Sequence, residues 1–284
     1  MSRTIGARSH SGKNGLVASA FPLWHDAAMN APSRPCKICG SNAPFFGAVD
    51  FNKNCEERRG LKLPPKGEEV AYYRCVDCGF LFSPLIDSWT TSSLIQRIYN
   101  ADYARIDPDY EAGRHRVAAT WIDDTFNHVR DKLHILDYGS GTGQLLTTLE
   151  TRGYQHVDGT DLLTQAETIR PFGRYDLVTC FETLEHSPNP IQLVSDLTAY
   201  AGPQGLVMFS TLVQPDDIQE QGLDWWYAAP RNGHVSLYST RSLDLLWAQQ
   251  GFKVGHFYPH LHLAYRDFPA FAGHLWSLFE GPQS

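Results

Sequence analysis

The chain has no apolar run approaching the roughly 20 residues that cross a bilayer, which excludes a helical membrane-spanning protein. Positive charge is in short supply. Across 284 residues, 24 Lys and Arg face 31 Asp and Glu, a formal net charge of −7. With no basic stripe, that balance argues against non-specific nucleic-acid binding as the main activity. Cysteine is sparse, and four of the six cysteines fall into two CxxC pairs. That spacing is a metal pattern rather than a disulfide framework, so a reducing, cytoplasmic setting is expected. What is present in quantity is core material: 42% hydrophobic and 12% aromatic residues, enough to exclude wholesale disorder. The length suits one large domain, or a medium domain with a small one.

The texture changes along the chain. Residues 1–35 carry Arg3, Arg8, Lys13 and many small polar residues without apolar periodicity, and read as a disordered tail rather than a transit peptide. Met29, close to the first cysteine pair, is a candidate start of translation. Residues 36–88 hold both CxxC pairs and form a small module. Residues 89–130 read as helical. From 133, strands alternate with helices: strands at 134–138, 156–161, 175–181 and 206–210, helices at 144–152 and 189–200. A helix capped by Ser239 or Thr240 and ended by Gly251 precedes two last strands, 252–258 and 261–266. Alternation of this kind predicts an open α/β sheet over residues 89–284.

Cys36-Lys-Ile-Cys39-Gly and Cys75-Val-Asp-Cys78-Gly predict one tetrahedral zinc bound by four thiolates. With no open coordination position, such a site is structural. Cys55 and Cys180 have no pair and are expected to pack as ordinary small apolar residues.

Asp137-Tyr-Gly139-Ser-Gly141-Thr-Gly143 follows a buried strand and opens a helix, the context of a nucleotide-type site. It is neither the dinucleotide fingerprint, whose last glycine comes one residue later, nor a phosphate loop, which needs a following Lys-Ser/Thr. Glycines let the backbone approach a ligand closely, and Asp137 can orient the loop or hold an ammonium. The next strand ends at Asp161, an acid placed to accept both hydroxyls of a ribose. Together these features describe S-adenosylmethionine.

The segments ILDYGSGTG (135–143), GTD (159–161), YDLVTCFETLEH (175–186) and GLVMFST (205–211) resemble the class I S-adenosylmethionine-dependent methyltransferases. RNGHVSLYSTRSLDLLWAQQGF (231–252) looks similar too, so the resemblance covers about residues 90–265. It implies a Rossmann-like, mostly parallel sheet whose last strand is antiparallel, with the cofactor held by Asp137, Gly139, Gly141, Gly143, Asp161 and Glu182. Asn100-Ala-Asp-Tyr103 resembles a cofactor-contacting helix of such enzymes, which adds Tyr103. The CxxCG…YYRCxxCGFLF layout is similar to a zinc-ribbon-like region that precedes some sugar and small-molecule methyltransferases. One departure stands out. Only fourteen residues separate Asp161 from Asp176, too few for a helix, a full strand and two connections. The edge strand after Asp161 is therefore expected to be shortened or missing, with Thr164 or Glu167 as substitutes for the usual adenine contact.

Glu182-Thr-Leu-Glu185-His186 follows a strand at the end where open α/β sheets bind ligands, and Gly233-His234 precedes the late helix. Glu182, Glu185, His186 and His234 can converge on a divalent cation, magnesium, manganese or zinc. This set resembles that of small-RNA 2′-O-methyltransferases, and its first three members resemble ubiquinone-pathway O-methyltransferases. Without a cation, Glu185, His186 and His234 remain candidates for direct acid–base catalysis, or for stabilising the loop. Trp225-Trp226-Tyr227 fits a substrate pocket or the core. His256, His260 and His262 alternate along a strand and are expected on a solvated face.

The favoured reading is methyl transfer to a hydroxyl of a small molecule or sugar. Two others use the same features: an RNA 2′-O-methyltransferase, disfavoured by the acidic chain, and a non-catalytic zinc-ribbon interaction protein with a degenerate methyltransferase fold. Nothing in the sequence specifies an oligomer.

Overall fold

The computed structural model describes residues 32–109, 113–161, 163, 166–167 and 175–280. Residues 1–31 of the expected tail, and Thr164 with the side chain of Glu167, lie outside the described residues.

The cysteine segment opens with β1 (Arg34–Pro35) against β2 (Asn42–Ala43), followed by β3 (Phe45–Asp50), β4 (Glu69–Arg74) and β5 (Leu81–Phe82). The stretch expected to be helical is broken into α1 (Thr91–Arg97), α2 (Tyr103–Ile106) and α3 (Arg114–Phe126). Asx residues at 100, 102 and 107, Pro108 and Gly113 interrupt the pattern, because each favours a turn or cannot continue a helix. Then come β6 (His134–Tyr138), α4 (Gln144–Thr151), β7 (His156–Asp161), β8 (Ala166–Glu167) and β9 (Tyr175–Cys180). The chain continues through α5 (Pro190–Tyr200), β10 (Ala201–Ser210), α6 (Ile218–Gln221), β11 (Ser236–Leu237) and α7 (Thr240–Ala248). It closes with β12 (Lys253–Tyr258), β13 (Leu261–Tyr265) and α8 (Trp276–Phe279).

Seven strands form one sheet in the order β12-β13-β10-β9-β6-β7-β8. β7, β6, β9 and β10 are mutually parallel. β13 is antiparallel to both of its neighbours, as expected for the last strand of this fold. β8 is the shortened edge: two residues, antiparallel to β7. The chain leaves β6 toward β7 and returns on its other side at β9, so strand order reverses at β6. The crevice beyond its carboxyl end is the switch point where such sheets bind ligands.

Each face of the sheet is covered. Ile135 and Leu177 point to a core with Ala119, Ile122 and Phe126 of α3 and Leu145 and Leu149 of α4. Their neighbours Leu136 and Val178 point the other way, to Val194 and Leu197 of α5 and Leu243 and Trp247 of α7. This is the two-residue alternation of a strand buried on both faces. Trp247 is fully buried and stacks on Phe209 at 5.0 Å. Burial of side chains of this size contributes about 1.5–3 kcal/mol each.

A second sheet runs β11-β5-β4-β3. Its strand β11 comes from more than 150 residues further along the chain than β5 and pairs with it antiparallel. The cysteine segment is thus stitched to the loop before α7, and this positions His234.

Candidate functional site

The glycine loop follows directly from β6. Gly139 N–H and Ser140 N–H both donate to Thr160 O, at 2.8 and 3.1 Å, which folds the loop over the end of β7. Gly139 has φ +85°, and a Cβ there would come within 2.5 Å of Thr183 Oγ1. Gly143 caps α4 in the left-handed region. Asp137 is buried, and its Oδ1 accepts from Thr179 Oγ1 at 2.8 Å. Burial pushes its carboxyl up to about 7, against the lowering effect of that hydrogen bond. Asp161 accepts Gly141 N–H at 3.0 Å on Oδ2 and Leu163 N–H at 2.8 Å on Oδ1. It therefore pins the glycine loop as well as ending the strand expected to face ribose.

Beyond β9 the chain turns sharply. Glu182 has φ +50°, uncommon for a residue with a side chain. Its amide donates to Ser210 Oγ, which donates back to Glu182 Oε1, each at 2.8 Å. Its Oε2 lies 3.8 Å from Arg114. Arg114 is held by two hydrogen bonds, 2.8 and 2.9 Å, to Asp107. Burial opposes its charge, but Glu182 and Asp107 outweigh that and raise its pKa. Tyr103 donates to the same Asp107 at 3.3 Å. Tyr103 and Glu182, both expected at the cofactor, are thus joined by an Asp–Arg pair that no sequence motif marked.

Glu185, His186 and His234 come together with one ligand atom of each within 4.8 Å of the others. Glu182 is not in that group. It faces Ser210 and Arg114 instead. Glu185 is fully buried, Oε1 accepts Tyr227 O–H at 2.7 Å, and Oε2 has no hydrogen-bond partner among the described residues. Burial, then the Glu182 charge, push its carboxyl up to about 8. His186 Nδ1 is buried without a well-formed hydrogen bond among the described residues, and burial draws its pKa down to about 4 against the opposing effect of the Gly233 backbone. His234 packs with its ring 5.0 Å from that of His186, and burial lowers its pKa well below the ordinary value. Two neutral imidazoles and a carboxyl with an unmatched oxygen stand together. Buried polar atoms left unmatched are costly, and a divalent cation, or the hydroxyl of an acceptor, held by this group would match the Glu185 oxygen. The residues present fit a cation of the O- and N-liganded class.

The cysteine segment holds this site from behind. Tyr72 O–H donates to His234 O at 2.6 Å, and Ser83 N–H to Val235 O at 2.8 Å. Lys53 Nζ donates to the carbonyls of Trp225 and Ala228, both at 2.8 Å. Cys55, expected to be an ordinary packing residue, sits against His234, with Sγ 3.8 Å from Nδ1. Further out, Cys36, Cys39, Cys75 and Cys78 form a four-sulfur group. Sulfur separations are 3.4 Å for Cys39–Cys75 and 3.6 Å for Cys36–Cys78 and Cys39–Cys78. A tetrahedron with about 2.3 Å metal–sulfur bonds has edges of about 3.8 Å, so the four thiols fit one zinc. Cys180 is buried in the core.

The expectation for the strand histidines fails at one position. His262 is fully buried rather than solvated, because its strand, β13, is interior to the sheet. Its Nε2 meets Thr211 O at 3.0 Å and its Nδ1 meets His256 Nδ1 at 2.8 Å.

A methyltransferase-domain family model matches residues 110–256. The chain belongs to that family, and its sheet is the Rossmann-like sheet of the class I S-adenosylmethionine-dependent methyltransferases. Among curated proteins it is similar to the ubiquinone biosynthesis O-methyltransferase of Paraburkholderia xenovorans, 34% identical over 120 residues, 34% of this chain and 50% of that one. The enzyme of the same name from Bordetella pertussis is 34% identical over 116 residues, 32% of this chain and 47% of that one. The chain thus spans about half the length of the curated relatives it matches. Among solved structures it is similar to the 1,6-didemethyltoxoflavin-N1-methyltransferase of Burkholderia thailandensis with bound S-adenosylhomocysteine. There the TM-score is 0.47 at 14% identity, over 73% of this chain and 99% of that one. For the Synechocystis magnesium protoporphyrin IX methyltransferase the TM-score is 0.43 at 17% identity, over 64% and 97%.

Proposed function

We propose that the protein is an S-adenosylmethionine-dependent O-methyltransferase acting on a hydroxyl of a small molecule or sugar in a reducing, cytoplasmic setting. The observation that carries this reading is the largely buried Glu185–His186–His234 group, set beside the glycine loop at the switch point of the sheet. The O-methyltransferase relatives support the same chemistry.

The sulfonium methyl is already activated, so the chain's task is to position the acceptor and take one proton. Gly139, Gly141 and Gly143 let the loop backbone approach the cofactor, Asp161 holds the loop and offers its oxygens to the ribose, and Asp137 braces the loop from beneath. Tyr103 and Glu182 line the same crevice. The neutral imidazoles of His186 and His234 have the lone pair that a proton acceptor needs, and Glu185 stands beside them. A divalent cation on Glu185, His186 and His234 would lower the pKa of the acceptor hydroxyl. The orphaned oxygen of Glu185 favours that version over bare acid–base catalysis. Zinc on the four cysteines is structural in this reading, holding the module that supports His234.

The test is calorimetric titration with S-adenosylhomocysteine, followed by assay of a panel of catechols, phenols and sugars. Absence of cofactor binding sinks the reading. Turnover of RNA ends with strong salt dependence would replace the small acceptor with a nucleic acid.

A further inference from the structure

Tyr227 touches two of the three grouped side chains in different ways, through its hydroxyl and through its own carbonyl. It is nearly fully buried. Its hydroxyl oxygen accepts the amide of Leu212 at 3.3 Å, so the hydroxyl proton is left to point at Glu185 Oε1, 2.7 Å away. That fixes which carboxylate oxygen is occupied and leaves Oε2 without a hydrogen-bond partner among the described residues. Its carbonyl lies 2.9 Å from His234 Nδ1. A carbonyl only accepts, so Nδ1 must carry the hydrogen and Nε2 must be the nitrogen with the lone pair. The Tyr227 ring packs on the His234 ring at 4.3 Å, and Trp225 and Trp226 pack on Tyr227 at 5.4 and 5.2 Å. The aromatic triplet thereby fixes the ring plane of Tyr227, and the ring plane fixes the hydroxyl.

From this geometry we infer that Tyr227 is the positioning residue of the Glu185–His186–His234 centre, setting the orientation of Glu185 and the ring and tautomer of His234 for a divalent cation and the acceptor hydroxyl. The inference rests on the O-methyltransferase reading above. Outer partners of this kind hold ligands in one rotamer, and their loss costs roughly 10–100-fold in metal affinity or activity. Trp225 and Trp226 act one layer further out, through Tyr227.

The test uses the full, zinc-loaded chain. Tyr227→Phe keeps the ring and the backbone carbonyl and removes the hydroxyl alone. Manganese is titrated into wild type and variant by calorimetry, S-adenosylhomocysteine is titrated separately, and kcat and KM are measured on an accepted phenol or sugar. Manganese affinity and kcat are expected to fall about tenfold or more, with cofactor affinity and melting temperature near wild type. In a Glu185→Gln background the further Tyr227→Phe change is expected to add little, because residues acting through one contact are not additive. Equal manganese affinity and equal kcat in wild type and Tyr227→Phe overturn the role of Tyr227. So does a full additive loss in the Glu185→Gln background, which marks a general packing defect, and so does a wild type that takes no manganese. A wild type that fails to bind S-adenosylhomocysteine points instead at the underlying methyltransferase reading, so the two failures are distinguishable.

Discussion

Thr179 donates its hydroxyl to the Asp137 carboxylate across the β6–β9 pair at 2.8 Å, where the two residues sit in direct register. The contact lies at the switch point, beneath the glycine loop. It is the main compensation for burying an acid there, and it is incomplete, since burial still lifts the Asp137 carboxyl to about 7.

A pH dependence follows from that. A carboxyl whose pKa is raised by folding favours the folded state at low pH. The benefit is lost as pH rises from the ordinary carboxylate value near 4 through about 7. Asp137→Asn removes the titration. Its melting temperature relative to wild type is expected to be higher at pH 8 than at pH 5, measured by calorimetry without cofactor. A difference that does not change with pH would show that Asp137 ionises freely in the folded protein.

Gly139→Ala tests the loop. The added Cβ meets Thr183 Oγ1 at 2.5 Å and the backbone is left-handed. A cost of about 1–3 kcal/mol is expected, together with loss of S-adenosylhomocysteine binding in a titration. A variant that binds as wild type does would place the cofactor elsewhere.

Asp161→Ala removes the acceptor of both the Gly141 and Leu163 amides. Cofactor affinity is expected to drop about tenfold or more, since charge-accepted hydrogen bonds contribute about 1.5–3 kcal/mol each. Thermal stability should fall less than in Gly139→Ala, because no overlap is created.

Cys75→Ala should abolish stoichiometric zinc and lower the melting temperature, as measured by metal analysis and thermal scans. Cys55→Ala and Cys180→Ala should keep the zinc. Removal of one ligand is also expected to reduce activity, because the module carries Tyr72 and Lys53, which hold the His234 segment. Full activity in a zinc-free variant would separate the module from the site.

Much of the fold was legible because its signals are local. Short apolar runs such as His134–Tyr138 and Tyr175–Cys180, alternating with helices along the chain, read as buried strands. Gly139–Gly143 is a turn because its three glycines take a left-handed backbone that other residues rarely adopt. The shortened edge at β8 followed from counting residues between two acids. The helical reading of 89–130 was too long, since apolar spacing outweighed the turn residues between α1 and α3. His262 was misjudged because the alternation of histidines suggested a solvated face, whereas its strand is interior to the sheet.

The sequence by itself determined the sheet, the glycine loop and two CxxC pairs able to meet at one centre, all of them set by spacing and backbone preference within short segments. Tertiary structure alone decided that β11 joins the cysteine sheet, that Arg114 and Asp107 link Tyr103 to Glu182, and that Tyr227 and Cys55 stand against His234. It also decided that Glu185 gathers with the two histidines while Glu182 turns away to Ser210. These relations join residues up to 179 positions apart. They exist only once the packed core has fixed the distance between segments, and no periodicity along the chain encodes such a distance.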